Sequence, residues 1–97
     1  AEIELREALH LNPKRAQLHV DLGDVLVSRR DAPEAEREYR AALALDTENG
    51  MANLRLAQLL IQKDATQEAR KYYEAAAKST DPGVRRAAQA ALGKPVP

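Results

Sequence analysis

A chain of 97 residues with 15 Lys+Arg against 15 Asp+Glu carries no net charge. A single thin core is all that this length can bury, and bulk positive charge is excluded as a route to nucleic acid or an anionic membrane. The absence of cysteine excludes disulfides, a thiol nucleophile and a thiolate metal site while leaving the compartment open, and no apolar run approaches the roughly 20 residues of a membrane helix.

Ala and Leu dominate and β-branched residues are few, so each predicted element is a helix. Residues 1–15 read as one helix with Ala1, Leu5, Ala8 and Leu9 on a face, closed by Asn12-Pro13. Next, Leu18, Leu22, Val25 and Leu26 have helical spacing, with Gly23 among them. The stretch Arg29 to Pro33 is the break. There Asp31 and Glu34 predict a capping box, and Pro33 suits a first helical turn. Ala35, Tyr39, Ala42 and Leu43 form the inward stripe of a third helix, and Asp46 to Gly50 is a turn. A fourth helix is predicted from about Met51 to Gln62 and a fifth from the Lys63–Thr66 break to about Ser79. Asp81-Pro82-Gly83 ends it, and a sixth begins near Val84. The tail from Gly93 to Pro97 cannot continue a helix and is expected to fray.

The elements repeat. Tyr39 and Tyr73 stand 34 residues apart, as do Leu22 and Leu56, Leu26 and Leu60, Ala35 and Ala69, and Ala42 and Ala76. Gly23 falls opposite Ala57, and Val27 opposite Ile61. The matches concentrate at small and apolar positions, so a packing pattern is copied rather than a surface. The reading is one domain over 1–97: the second helix of a truncated repeat at 1–15, whole repeats at 16–49 and 50–83, and a capping helix with a frayed tail at 84–97. One helix pair cannot bury its apolar face alone, whereas stacked pairs can. The chain is therefore expected to be a piece of a longer array. The fold expected is all-α, a solenoid of antiparallel helix pairs with about six helices.

The motif His19-x2-Leu22-Gly23-x2-Leu26 followed by Ala35-x3-Tyr39 recurs as Asn53-x2-Leu56-Ala57-x2-Leu60 followed by Ala69-x3-Tyr73. Ala1-x3-Leu5 and Pro13 supply a half copy. This pattern resembles the tetratricopeptide repeat family, which has a 34-residue period. His19 and Asn53 replace that family's Trp, Thr47 stands where a closing Pro would be, and Pro82 comes one place late. These departures weaken the turns and the outer packing but spare the small-residue positions. The resemblance implies an α–α superhelix in which Tyr39 and Tyr73 fill the gap toward the next pair, their hydroxyls near water.

It also implies a protein–protein interaction module, or scaffold, that holds a peptide or a partner's helix in a concave groove lined by first helices. The positions that match are Gln17, Val20, Asp21, Asp24, Val27 and Ser28, then Met51, Leu54, Arg55, Gln58, Ile61 and Gln62, then Arg85, Ala88 and Gln89. Val20, Leu54 and Ala88 would form an apolar strip there, flanked by Asp21 and Asp24 and by Arg55 and Arg85. The plainer reading of Val20, Val27, Leu54 and Ile61 is contact between first helices. A chaperone-tail clamp is disfavoured, because Val20 and Asp24 occupy the places of its leading Lys and Asn. Two rivals stand beside this function: a structural spacer that self-associates through open repeat ends, and a regulatory module of a larger protein.

Nothing points to an enzyme, a metal or a cofactor. His10 and His19 are the two histidines, and neither has the ligand spacing of a metal site. Ser28 and Ser79 lack a His–carboxylate partner, and no Gly-rich phosphate loop occurs. Asp21 and Asp24 share a helix face and could pair or hold a cation, but solvated helix charges explain them more simply. Arg55, Arg85 and Arg86 could make a small basic patch. Residues 16–49 carry eight acids against four bases, which argues against nucleic acid.

Overall fold

The computed structural model describes residues 1–93 and consists of helices, with no strand among those residues. Two compact units divide the chain, 1–47 and 48–97. The first holds α1 (Glu2–Leu11), α2 (Ala16–Ser28) and α3 (Ala32–Leu45). The second holds α4 (Gly50–Gln62), α5 (Thr66–Ala76) and α6 (Pro82–Ala91). The expected fray at the tail concerns Lys94 to Pro97, which lie outside the described residues.

In the first unit, α2 and α3 pack as a pair, with α1 against α2. Three residues join the pair, so the helices run antiparallel. Ala35, Tyr39, Ala42 and Leu43 are buried on α3, as the periodicity requires, against Val20, Leu22, Gly23 and Leu26 of α2. Gly23 is where the Tyr39 ring of α3 lies against the α2 backbone. A Cβ built on it would lie 2.5 Å from Tyr39 Cε1, so the absence of a side chain makes room for the ring. Tyr39 is only 1% exposed, and its hydroxyl donates to an Asp24 carboxylate oxygen. The expectation of a hydroxyl near water is corrected at this position. A buried phenol needs an acceptor, and Asp24, one residue beyond Gly23, supplies it.

The second unit repeats the pair with α4 and α5, and α6 packs against both. Ala69, Tyr73 and Ala76 are buried on α5 and Leu56, Ala57 and Leu60 on α4. Burial pushes the Tyr73 phenol above its ordinary value. Gly50, read as the end of a turn, instead opens α4. A Cβ there would meet Ser79 Oγ at 2.6 Å, so the start of α4 sits close against the link before α6.

Both helix pairs break in the same way. The Asp31 amide donates back to the Leu26 carbonyl at 2.9 Å and the Arg30 amide to Val27 at 2.9 Å. In the second unit, Ala65 donates to Leu60 at 2.9 Å and Asp64 to Ile61 at 3.0 Å. Arg30 and Asp64 take φ of 63° and 61°. This is a Schellman closure, which satisfies the last carbonyls of the helix through a left-handed residue.

The capping box at Asp31 is one-sided. Asp31 Oδ1 accepts from the Glu34 amide at 3.3 Å, but the Asp31 amide is committed to Leu26, and the Glu34 carboxylate takes Arg37 instead. That ion pair holds Glu34 below and Arg37 above their ordinary values. Asp81, expected to end a unit, caps α6. Its Oδ1 accepts from Gly83 at 2.9 Å and Val84 at 3.4 Å. Pro82 then fills the first turn, and α6 starts two residues earlier than Val84. The fifth helix stops at Ala76 rather than Ser79.

Candidate functional site

The candidate residues are carried by first helices of the pairs, and each unit is described by itself. On α2, Gln17 is exposed and donates through Nε2 to Asp21 Oδ1 at 2.9 Å. The two are one turn apart and hold each other's orientation. Asp24, half-buried, receives the Tyr39 hydroxyl. Part of its role is therefore to hold the helix pair together. Val27 is 40% exposed.

On α4, Met51, Arg55 and Gln58 are half-buried along one stripe. Arg55 Nη1 donates to Gln58 Oε1 at 3.2 Å. Ile61, at the position 34 residues after Val27, is 42% exposed. On α6, Arg85 is half-buried and donates through Nη1 to the Ser79 carbonyl at 3.2 Å. Gln89, one turn on, has a buried Oε1 with no hydrogen-bond partner.

The expected apolar strip of Val20, Leu54 and Ala88 is corrected. Val20 is 0%, Leu54 5% and Ala88 0% exposed. Their apolar character reflects core packing, so they can floor a surface but do not project from it. The large apolar side chains that do project on these helices are Val27 and Ile61.

Charge separates the helices sharply. Within its bounds, α2 carries Asp21 and Asp24 and no Lys or Arg. By contrast, α4 carries Arg55 and α6 carries Arg85 and Arg86, and neither contains an acid. The first-helix surface is anionic in the first unit and cationic in the second. Among the described residues no group of three or more His, Cys, Asp or Glu could hold a metal ion. No helix is long and apolar enough to cross a membrane.

Two polar features escaped the sequence reading. Asn49 caps α4 by accepting from the Ala52 amide at 3.0 Å, and Asn53 donates to the Asn49 carbonyl at 3.1 Å while 2% exposed. His19 bonds across the first unit to Glu38 and Pro13. The Asx residue before α4 was a usable signal for the cap; nothing local in the sequence joins His19 to Glu38.

The family model described as tetratricopeptide repeat matches this chain over residues 1–48 and again over 20–84. No curated protein matches it.

Proposed function

We propose that this chain, which belongs to the tetratricopeptide repeat family, is a protein-interaction module whose partner lies against its first helices. Repeats of this family generally mediate protein–protein interaction. One observation carries the finer reading. Val27 and Ile61 occupy the same repeat position, on α2 and α4, and each leaves about two-fifths of its surface in water. Each is bordered one turn back by a half-buried polar side chain, Asp24 or Gln58. An apolar anchor beside an orienting polar group is the pattern of a recognition surface. In the first unit Asp21, beside Gln17, sets a preference for a cationic group over the packed Val20; in the second Arg55 and Arg85, with Met51 beside them on the first-helix stripe, set a preference for an anionic one over the packed Leu54.

The test uses a captured and identified partner. Val27→Asp and Ile61→Asp change exposed positions and Arg85→Glu a half-buried one that bonds the Ser79 carbonyl, so circular dichroism checks that helicity is kept. The triple variant is expected to bind that partner at least tenfold more weakly by calorimetry, about 1.4 kcal/mol. An unchanged Kd removes these helices from recognition.

Self-association is the second reading, and α1 supplies its observation. Ile3 is 72% and Leu11 77% exposed. With Arg6, Glu7 and His10 they line one shallow, mainly apolar surface. Such a face is a candidate contact between copies.

A further inference from the structure

We infer that Asn49–Gly50 is a self-modifying site, at which the asparagine side chain closes onto the glycine nitrogen and strips α4 of its cap. The chain has three asparagines, at 12, 49 and 53. Asn12 precedes Pro13, which has no N–H to attack with. Asn53 precedes Leu54 inside α4, where the Leu54 amide is committed to the helix ladder. Asn49 alone is followed by a residue with no side chain to obstruct attack. Gly50 is also the first residue of α4, so its amide lies outside the ladder.

Packing brings this pair together. A Cβ on residue 50 would lie 2.6 Å from Ser79 Oγ and 3.2 Å from Val84 Cγ1, so glycine fits where any other residue would crowd the link before α6. Residue 49 has to cap. Its Oδ1 accepts from the Ala52 amide at 3.0 Å, a task that Asn, Asp and Ser perform best. Two structural demands therefore set a carboxamide beside an unhindered amide.

The reaction needs only water. The deprotonated Gly50 nitrogen attacks Asn49 Cγ and forms a new C–N bond. The Cγ–Nδ2 bond breaks, ammonia leaves, and a five-membered imide remains. Water then opens the ring on either side. Cleavage between Cγ and the nitrogen leaves aspartate in an ordinary chain. Cleavage between the main-chain carbonyl carbon and the nitrogen leaves isoaspartate, with the chain running through Cγ.

The cap opposes closure. Asn49 is held at φ −62° and ψ 106°. Its carbonyl accepts from the Asn53 amide at 3.0 Å and from Asn53 Nδ2 at 3.1 Å. Closing the ring rotates ψ away from this extended value, and the carboxamide must leave Ala52 first. Opening of the first turn of α4 therefore sets the rate. The two products differ in effect. Aspartate at position 49 keeps the cap and adds a negative charge at a helix N-terminus, where it is favourable. Isoaspartate lengthens the main chain by one carbon and withdraws the carboxylate from Ala52, so α4 starts uncapped.

Two measurements on the full chain decide the matter. The protein is kept in mildly alkaline buffer without urea, in urea below the unfolding transition, and in urea above it. Peptide mapping by mass spectrometry follows conversion at each asparagine. Conversion is expected to concentrate at Asn49, to be several-fold slower in the native chain than in the unfolded one, and to quicken already below the transition. No conversion of Asn49 in the unfolded chain, equal rates in all three conditions, or a rate that rises only with global unfolding overturns the proposal. Amide exchange then compares the isoaspartyl chain, separated by reversed-phase chromatography and refolded, with Asn49→Asp. Exchange at Ala52 and Asn53 is expected to be several-fold faster than wild type in the first and no faster in the second. Equal protection in the two overturns the uncapping.

Discussion

Gly23 shows what a single hydrogen atom in place of a side chain permits. Tyr39 lies in the space that a Cβ would need, and its hydroxyl is fixed on Asp24. Gly23→Ala should therefore destabilise the chain, although removing a glycine from mid-helix ordinarily stabilises by about 0.5–1 kcal/mol. Overpacking costs about 1–3 kcal/mol, and it wins because the ring is buried and hydrogen-bonded. Chemical denaturation should show a net loss for Gly23→Ala. At the equivalent site in the second unit, Ala57→Gly should also lose stability, for the opposite reason of added chain entropy. A stabilised Gly23→Ala would mean that the ring can retreat. Both halves of this contact were legible, a small residue on one helix and a tyrosine on the next, copied in register, but the tyrosine was expected to fill the gap toward the next pair rather than to lie on Gly23 of its own. The sequence did not announce the acceptor for the hydroxyl, because Asp24 reads equally well as a surface acid. His19 was opaque for a similar reason. Its partners are distant in sequence, and periodicity is blind to polar pairing.

At the scale of the helix, the ends depart further from expectation than the bodies. Both breaks were visible as charged, apolar-poor stretches. Their left-handed residues were not, because arginine and aspartate stand where glycine is usual. The left-handed conformation costs an L-residue roughly 1–2 kcal/mol, part of which glycine would return as chain entropy. Arg30→Gly is expected to stabilise the chain by about 0.5–1 kcal/mol, read as a rise in the denaturation midpoint with unchanged slope. No rise would show that the Arg30 side chain contributes something in place. Asp81 teaches the converse lesson. An Asp-Pro-Gly run signals a stop and a start equally well, and only the bonds to Gly83 and Val84 show that it begins α6.

For the molecule as a whole, the repeat was legible because burial constrains both copies alike. Leu22 and Leu56, Ala35 and Ala69, and Ala42 and Ala76 are buried in both units. The functional surface was less so. The family resemblance pointed to Val20, Leu54 and Ala88 but could not tell a covered row from an open one. The charge reversal between α2 and α4 was present in the sequence, yet it emerges only when residues are sorted by helix. The exposed face of α1 bears on the self-association reading. If copies meet there, sedimentation should detect a dimer at high micromolar concentration, and Ile3→Ser with Leu11→Ser should abolish it. A wild type that stays monomeric at that concentration would leave the face uninvolved in self-association.

The three-residue links between paired helices restrict change in a particular way. Each return bond, from Asp31 to Leu26 and from Ala65 to Leu60, spans a fixed number of residues. One added residue would turn the following helix by about 100° and carry Tyr39 or Tyr73 off its partner's face. Arg29, Arg30, Lys63 and Asp64 are exposed, so apart from the left-handed backbone at Arg30 and Asp64 their side chains are only loosely constrained. What these links transmit between helices is a count of residues rather than their identity.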